Sequence, residues 1–310
     1  MYDNVIVTGT VAYDEIMDFP KRFIDFFQPD KLHQINISFV VDKLEKQFGG
    51  TATNISYNLS LVTSKKIILL GAIGKDGYQL LKFLRQNKID TGGLVVDTTL
   101  YTATGKVITD IKDNQIWGYY YGASEKAKEI NLNRYAKKNS LVIISANHPK
   151  AFLNFMNQTI DLKADYMLDP GMVLTWISRN DLKKGVENCR WLVGNDYETS
   201  RVIKVLKTSI SELLNRDIAV IITLGEKGVL YQDKRHKLEI PAFKLKKIVD
   251  PTGAGDAWRA GFIGGIIENK NIEFCLKQAN ALASFAVEHY GTVKHKPTKK
   301  EILDRIKSLC

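Results

Sequence analysis

The chain has 310 residues, 45% of them hydrophobic and 25% charged. That is enough apolar material for a sizeable core, and it excludes collagen, a coiled coil and wholesale disorder. Lys and Arg number 44 against 34 Asp and Glu, a formal charge of +10, which suits an anionic partner without choosing between nucleotide and nucleic acid.

The longest apolar runs, Leu141 to Ala146 and Ile218 to Leu224, fall well short of the roughly 18 residues that a membrane span needs. Met1-Tyr2-Asp3-Asn4 lacks the basic and then apolar regions of a secretory signal, so a cytoplasmic location and no membrane partner are expected. Cys189, Cys275 and Cys310 are odd in number and widely spaced, which argues for reduced thiols rather than a disulfide framework or a zinc ribbon. The densest basic stretches, Lys244 to Lys247 and the tail from Lys294 to Lys300, carry no interleaved aromatics. They read as solvated faces, with no nucleic acid expected.

Short β-branched runs alternate with longer helical patterns, the signature of an α/β fold: a mostly parallel central sheet with helices on both faces. Val5 to Thr8, Lys66 to Leu70, Leu141 to Ser145, Tyr166 to Asp169, Trp191 to Val193 and Ala219 to Leu224 read as its buried strands. Two stretches, near 14–48 and 100–123, keep closer to the two-residue period of half-exposed strands. Ile35, Ile37, Phe39 and Val41 alternate, as do Val107, Thr109 and Ile111 before the Lys112-Asp113-Asn114-Gln115 turn. Ile116 to Tyr121 then returns as the second strand of a hairpin. These pieces are expected to pair into a small β lid. With no repeat, low-complexity tract or linker, residues 1–310 are expected to form a single domain carrying that lid.

Asp250-Pro251-Thr252-Gly253-Ala254-Gly255-Asp256 is the segment richest in chemistry. It reads as a strand exit, a tight turn and a helix start feeding the helix-compatible run Ala257 to Glu268. Two glycines let the backbone turn with its N–H groups outward, and the first helical turn adds unpaired N–H groups and the positive end of the dipole. The result is an anion cradle. An acidic residue inside such a cradle would repel a phosphate, unless the carboxylate must take a proton beside it. Asp256 is therefore a candidate general base, and the alternative on residue chemistry alone is a helix cap. Neither a Walker A loop nor G-x-G-x-x-G, H-E-x-x-H or G-x-S-x-G occurs, and His33, His148, His236, His289 and His295 are scattered; P-loop, Rossmann, metalloprotease and serine hydrolase readings fail.

At Gly253-Ala254-Gly255-Asp256 the chain resembles the PfkB family of carbohydrate and nucleoside kinases, with its ribokinase-like fold. Other landmarks follow in the family's order: Gly9 and Asp14, Gly49-Gly50 with Asn54, Gly71 to Gly77, Asn195 with Glu198, and Thr223-Leu224-Gly225 with Gly228. The resemblance implies ATP-dependent phosphoryl transfer, in which Asp256 deprotonates the acceptor hydroxyl and the backbone of Gly253, Ala254 and Gly255 stabilises the transferring group. It implies that Asp14, Gly49, Gly50 and Asn54 hold the acceptor. Asn195 would act on hydrated magnesium and phosphates together with Glu198, indirectly through water. Thr223, Gly225 and Gly228 would lie along the nucleotide phosphates and ribose, and Asn280 near the adenine. Without the resemblance, Asp14 is a turn residue, Glu198 an exposed helix charge and Thr223 to Gly228 a plain strand exit. Some family members take a monovalent cation near the positions of Asp250 and Thr252. Pro251 departs from the commoner Thr there, so the resemblance leaves potassium activation open.

Asp113-Asn114-Gln115-Ile116, Gly122-Ala123 and Gly255 to Gly261 look most like the adenosine and nucleoside kinase branch. Trp117, Tyr119, Tyr120 and Tyr121 on the lid hairpin could stack on a base, with half of them expected on the other face. A nucleoside acceptor therefore ranks first and a free sugar second. A phosphosugar would need an extra cation, for which Arg259 is the candidate, although it could equally steady the nucleotide phosphates or form an ion pair. A non-catalytic nucleotide- or sugar-binding regulator would not need the Asp256 that stands here. The partners expected are small molecules, the chain acting as a monomer or a lid-mediated homodimer.

Overall fold

The computed structural model describes residues 1–28, 34, 36–112 and 114–309; His33, Ile35, Asp113 and Cys310, named above, lie outside them. In chain order the strands begin with β1 (Asn4–Thr8), β2 (Ala12–Phe19), β3 (Lys43–Gly49), β4 (Lys66–Ile73), β5 (Asp90–Val96), β6 (Ala103–Asp110) and β7 (Gln115–Tyr120). They continue with β8 (Ser140–Ile144), β9 (Tyr166–Leu168), β10 (Trp191–Asn195), β11 (Ala219–Thr223), β12 (Val229–Gln232) and β13 (Lys237–Ile240). The α-helices are α1 (Thr51–Val62), α2 (Tyr78–Gln86), α3 (Pro149–Asp161), α4 (Arg179–Asn188), α5 (Asp196–Leu206), α6 (Ile210–Asn215), α7 (Ala254–Ile267), α8 (Ile272–Val287) and α9 (Lys299–Lys307). No helix among the described residues is long and apolar enough to cross a membrane.

Nine strands form the main sheet in the order β13-β12-β11-β10-β9-β8-β1-β4-β5. The run from β11 to β5 is parallel throughout, and β12 and β13 add an antiparallel edge. Because successive side chains point to opposite faces, odd residues such as Val5, Val7, Leu69 and Ile143 enter one core with α1, α7 and α8. Even residues such as Ile6, Leu70, Val142 and Ile144 enter a second core with α3 and α4. Burial on both faces is why these strands are apolar without interruption. Cys189 and Cys275 are buried and unbridged.

The second sheet, β3-β2-β6-β7, is the expected lid. Its hairpin β6–β7 forms as anticipated, with Thr104 opposite Tyr120 and Thr109 opposite Gln115. The alternating stretch from 35 to 41 does not become a strand over its described residues. Both edges of β2 are already taken, by Lys43–Gly49 and by β6, so this segment has no open ladder to join there. Phe39 instead packs on Phe19, Phe23 and Phe26 with ring centroids 4.7–6.0 Å apart. The strand expected before the Gly-rich turn is also absent. Residues 241–250 run irregularly, and the amides of Val249 and Asp250 both donate to the carbonyl of Val287 at the end of α8.

Helices α7 and α8 approach closely because Gly261 faces the backbone of Ala279. A Cβ at Gly261 would stand 2.6 Å from the Ala279 Cα. Alanine favours a helix by roughly 0.5–1 kcal/mol over glycine, whereas overpacking a core costs about 1–3 kcal/mol, so the clash wins. Gly261→Ala is expected to lower the urea midpoint of unfolding, and an unchanged or raised midpoint would contradict this account of the helix pair.

Candidate active site

In an open parallel sheet, ligands meet the carboxyl ends of the strands. The candidate residues collect there. Thr223 ends β11 and Asn195 ends β10, Asp169 follows β9, Ser145 follows β8, and Gly9 and Thr10 follow β1. From β11 to β1 is four strand spacings, about 19 Å at roughly 4.8 Å each, enough for a nucleotide and an acceptor laid end to end.

Gly253 precedes α7 with φ 78°, in the left-handed region, and a Cβ there would lie 2.9 Å from the Thr292 side chain, so glycine is required twice over. The helix starts at Ala254, three residues before the run read from sequence, and Gly255 is exposed in its first turn. No side chain caps this helix. Asp256 therefore does not serve as its cap. Its Oδ2 accepts a 2.8 Å hydrogen bond from the Asn54 amide. Burial pushes the Asp256 carboxyl up to about 7, against the opposing pulls of the Arg259 guanidinium and the Asn54 amide, while Asp169 and Asp14 raise it further.

Asn54 is buried in the first turn of α1, and its Oδ1 has no partner, leaving one acceptor in reserve beside Asp256. Helix α1 begins at Gly50, whose φ of 86° and 2.4 Å clearance from the Thr10 carbonyl oxygen allow no side chain without strain. One residue earlier, a Cβ on Gly49 would fall 1.9 Å from the Asp14 Oδ2. The bare backbone of Gly49 is what gives the Asp14 carboxylate its place.

Asp14 sits on the lid strand β2, opposite Gly105 of β6, which in turn faces Tyr119 of β7. Trp117 and Tyr119 flank Gly105 on the face that carries Asp14. Tyr119 meets Tyr121 edge-on at 5.1 Å, and Tyr121 meets His148 edge-on at 5.0 Å. These rings make an aromatic wall beside Asp14, while Tyr120 turns away toward Gly122, as strand alternation requires. Burial, with Asp250 as the second cause, raises the Asp14 carboxyl to about 6. Two carboxylates with proton affinities lifted by burial make this the candidate chemical centre. A cavity of about 590 Å³ walled by Tyr13, Phe48, Phe83 and Val293 lies on the other side of β2 and β3.

Asn195 and Glu198 form a reciprocal capping box on α5, in which Asn195 Oδ1 accepts from the Glu198 amide at 2.7 Å and Glu198 Oε2 accepts from the Asn195 amide at 2.8 Å. Their first duty is thus to start a helix. The pair stands at the mouth of β10 with Asn195 exposed, and Glu198 also acts electrostatically on Arg259. Among the described residues no group of three or more His, Cys, Asp or Glu side chains could hold a metal ion directly. Thr223 is half-buried, Gly225 has φ 58° with open space where a Cβ would be, and Gly228 is closed in by the Ile240 carbonyl oxygen at 2.1 Å from its would-be Cβ. Asn280, expected near the adenine, is buried and engaged within the protein. Its Oδ1 accepts from Trp258 and its amide donates to the carbonyls of Ile240 and Pro241, so it ties α8 to α7 and to the exit of β13.

The sequence reading missed Asp169. It forms a bidentate pair with Arg259, at 2.5 Å from Nε to Oδ2 and 2.7 Å from Nη2 to Oδ1, so the ion-pair reading of Arg259 holds and this cation is not free for a second phosphate. The available signal was a polar residue closing a parallel strand just before Pro170-Gly171.

The pfkB family carbohydrate kinase model matches residues 8–299, so the chain belongs to the pfkB carbohydrate kinase family. A nucleoside kinase of Methanocaldococcus jannaschii is 30% identical over 284 residues, 90% of this chain and 92% of that protein. The nucleoside kinase of Burkholderia thailandensis, solved in complex with inosine, superposes with a TM-score of 0.88 at 27% identity, covering 98% of this chain and 96% of its own. The same protein, solved in complex with ADP-inosine, gives 0.84 at 28% over 98% and 95% of the two chains. A ribokinase of Bacillus subtilis is 28% identical over 246 residues, 76% of this chain and 80% of that one.

Removing the donor of Asn54 should raise the proton affinity of Asp256, because the hydrogen bond favours the charged form. In Asn54→Leu the Asp256 carboxyl is expected to titrate above pH 7 in a carbon-13 NMR pH series. A midpoint at or below that of the parent would refute the assignment.

Proposed function

We propose that this protein transfers the γ-phosphoryl group of ATP to a primary hydroxyl of a nucleoside. The observation that carries the reading is the Asp256 carboxylate, held by Asn54 in the first turn of α7 with a proton affinity near neutrality. A base is most useful when its proton affinity lies near the working pH. Asp256 takes the proton from the acceptor hydroxyl, and the amides of Gly253, Ala254 and Gly255 hold the negative charge of the group in transit, with the helix dipole behind them. Asp14, with Gly49 and Gly50 clearing its space and Asn54 beside it, orients the acceptor. Thr223, Gly225 and Gly228 line the nucleotide. Asn195 and Glu198 suit a hard cation that keeps its waters, since neither would need to bind it directly. When bound, magnesium would neutralise phosphate charge.

A nucleoside is favoured over a free sugar by the wall of Trp117, Tyr119 and Tyr121 beside Asp14, since base stacking on such rings contributes about 1–3 kcal/mol per base. The nucleoside kinase relatives and the inosine complex of the similar Burkholderia thailandensis enzyme support the same choice. A free sugar such as ribose is the second reading, supported by the ribokinase relative.

Three measurements test the proposal. ATP consumption with adenosine, inosine, other nucleosides, ribose, fructose and fructose 6-phosphate should be greatest with a nucleoside, and failure of every nucleoside sinks the reading. Asp256→Asn should lose about 10²- to 10⁴-fold in kcat while still binding nucleoside and ATP, and equal activity would remove its role as base. The parent's kcat/KM should fall tenfold per unit as pH drops below about 7, because the protonated carboxyl cannot accept a proton; a flat profile from pH 5 to 8 speaks against it. The same assay in potassium and sodium salts decides whether a monovalent cation acts beside Asp250 and Thr252.

A further inference from the structure

We infer that the Arg259–Asp169 ion pair is a positioning device that fixes the first turn of α7 on the sheet and sets the pH range in which Asp256 can accept a proton. The inference rests on the proposed role of Asp256 as base and concerns how that base is tuned.

The two side chains are 9% and 5% exposed, and two guanidinium nitrogens face two carboxylate oxygens. The third guanidinium nitrogen, Nη1, donates at 2.9 Å to the carbonyl of Gly255, the residue just before Asp256. A Cβ on Gly255 would stand 2.8 Å from that nitrogen, so the glycine has a use besides exposing its amide: it lets a cation lie against the turn. Asp169 follows β9, and the pair therefore bolts the start of α7 to the strand ends along which the candidate residues are arranged.

Stability alone does not explain such a pair, because a buried ion pair is often matched or bettered by apolar side chains of similar volume. Its location beside Asp256 gives it other work. The groups acting on Asp256 come from four elements: Arg259 on its own helix, Asn54 from α1, Asp14 from β2 and Asp169 beyond β9. The cation favours the ionised carboxylate and the two acids disfavour it. Arg259 is the larger of these two influences on Asp256, and it is the member of the pair bonded to the Gly255 carbonyl, one residue before Asp256. Neutralising either member of the pair should therefore move Asp256 in opposite directions. An opposite charge within about 4–6 Å displaces a carboxylate by roughly 1–3 pH units.

The test compares the acid limb of the kcat/KM profile in the parent, Arg259→Gln, Asp169→Asn and the double variant, each checked for folding by circular dichroism. Arg259→Gln is expected to move the limb to higher pH by about one unit or more, and Asp169→Asn to lower pH. The double variant, which leaves no unpaired charge in the core, is expected to lie between the two singles and above the parent. Limbs that stay in place, or that move the same way in both singles, overturn the inference. Should the singles fail to fold, the double variant decides alone: a limb at the parent's pH or below it rejects the claim. Asp256→Asn serves as the separate control, since full activity there would remove the base itself rather than its tuning.

Discussion

One hydrogen bond, 2.8 Å from the Asn54 amide to the Asp256 carboxylate, joins the starts of α1 and α7, and the geometry of the site depends on it. Helix α1 begins where lid strand β3 ends, across the tight Gly49-Gly50 step, and α7 begins at the left-handed Gly253. The bond therefore links the segment proposed to hold the acceptor to the segment proposed to cradle phosphate. It also opposes the desolvation that raises the proton affinity of Asp256. Without a donor at Asn54 that carboxyl would be buried beside two other acids with only Arg259 to steady it.

The main sheet supplies the order in which the remaining groups appear. Parallel strands covered on both faces leave their carboxyl ends as the open edge of the layer, and β11, β10, β9, β8 and β1 deliver polar residues there one strand spacing apart. The lid covers the β1 end of that row. Its register brings Asp14, Gly105 and Tyr119 into line across three strands, so one face is both charged and aromatic. On the opposite face Glu15 pairs with Lys106 and Lys46. Strand alternation alone separates the two faces.

Much of this was legible in the sequence, for physical reasons. Uninterrupted apolar runs are what strands covered on both faces require, so six of the nine main-sheet strands were read, four of them within a residue at each end, while β4 and β10 run three and two residues further. Glycines at 49, 50 and 253 stood out because backbone there must pass where no Cβ fits. Positions 35–41 misled because alternation records which side chains tend inward, not whether a ladder partner is available; Phe39, half-buried, packs on other rings instead. Asp169 and Arg259, ninety residues apart, could be joined only by the fold. The bonds of Asn280 depend in the same way on where the chain returns after β13. The Asn-x-x-Glu pattern at 195 to 198 already carried a helix-start signature, which the family reading of that pair had overshadowed.

Asp14 rides on the lid while Asp256 belongs to the body. On the proposed reading, an acceptor gripped by both would act as a clasp between them, so that capturing substrate and assembling the reactive arrangement become a single event. A water molecule held at Asp256 alone would leave the Asp14 side of that clasp empty, so on the same reading hydrolysis of ATP would lack half of the grip that the acceptor receives.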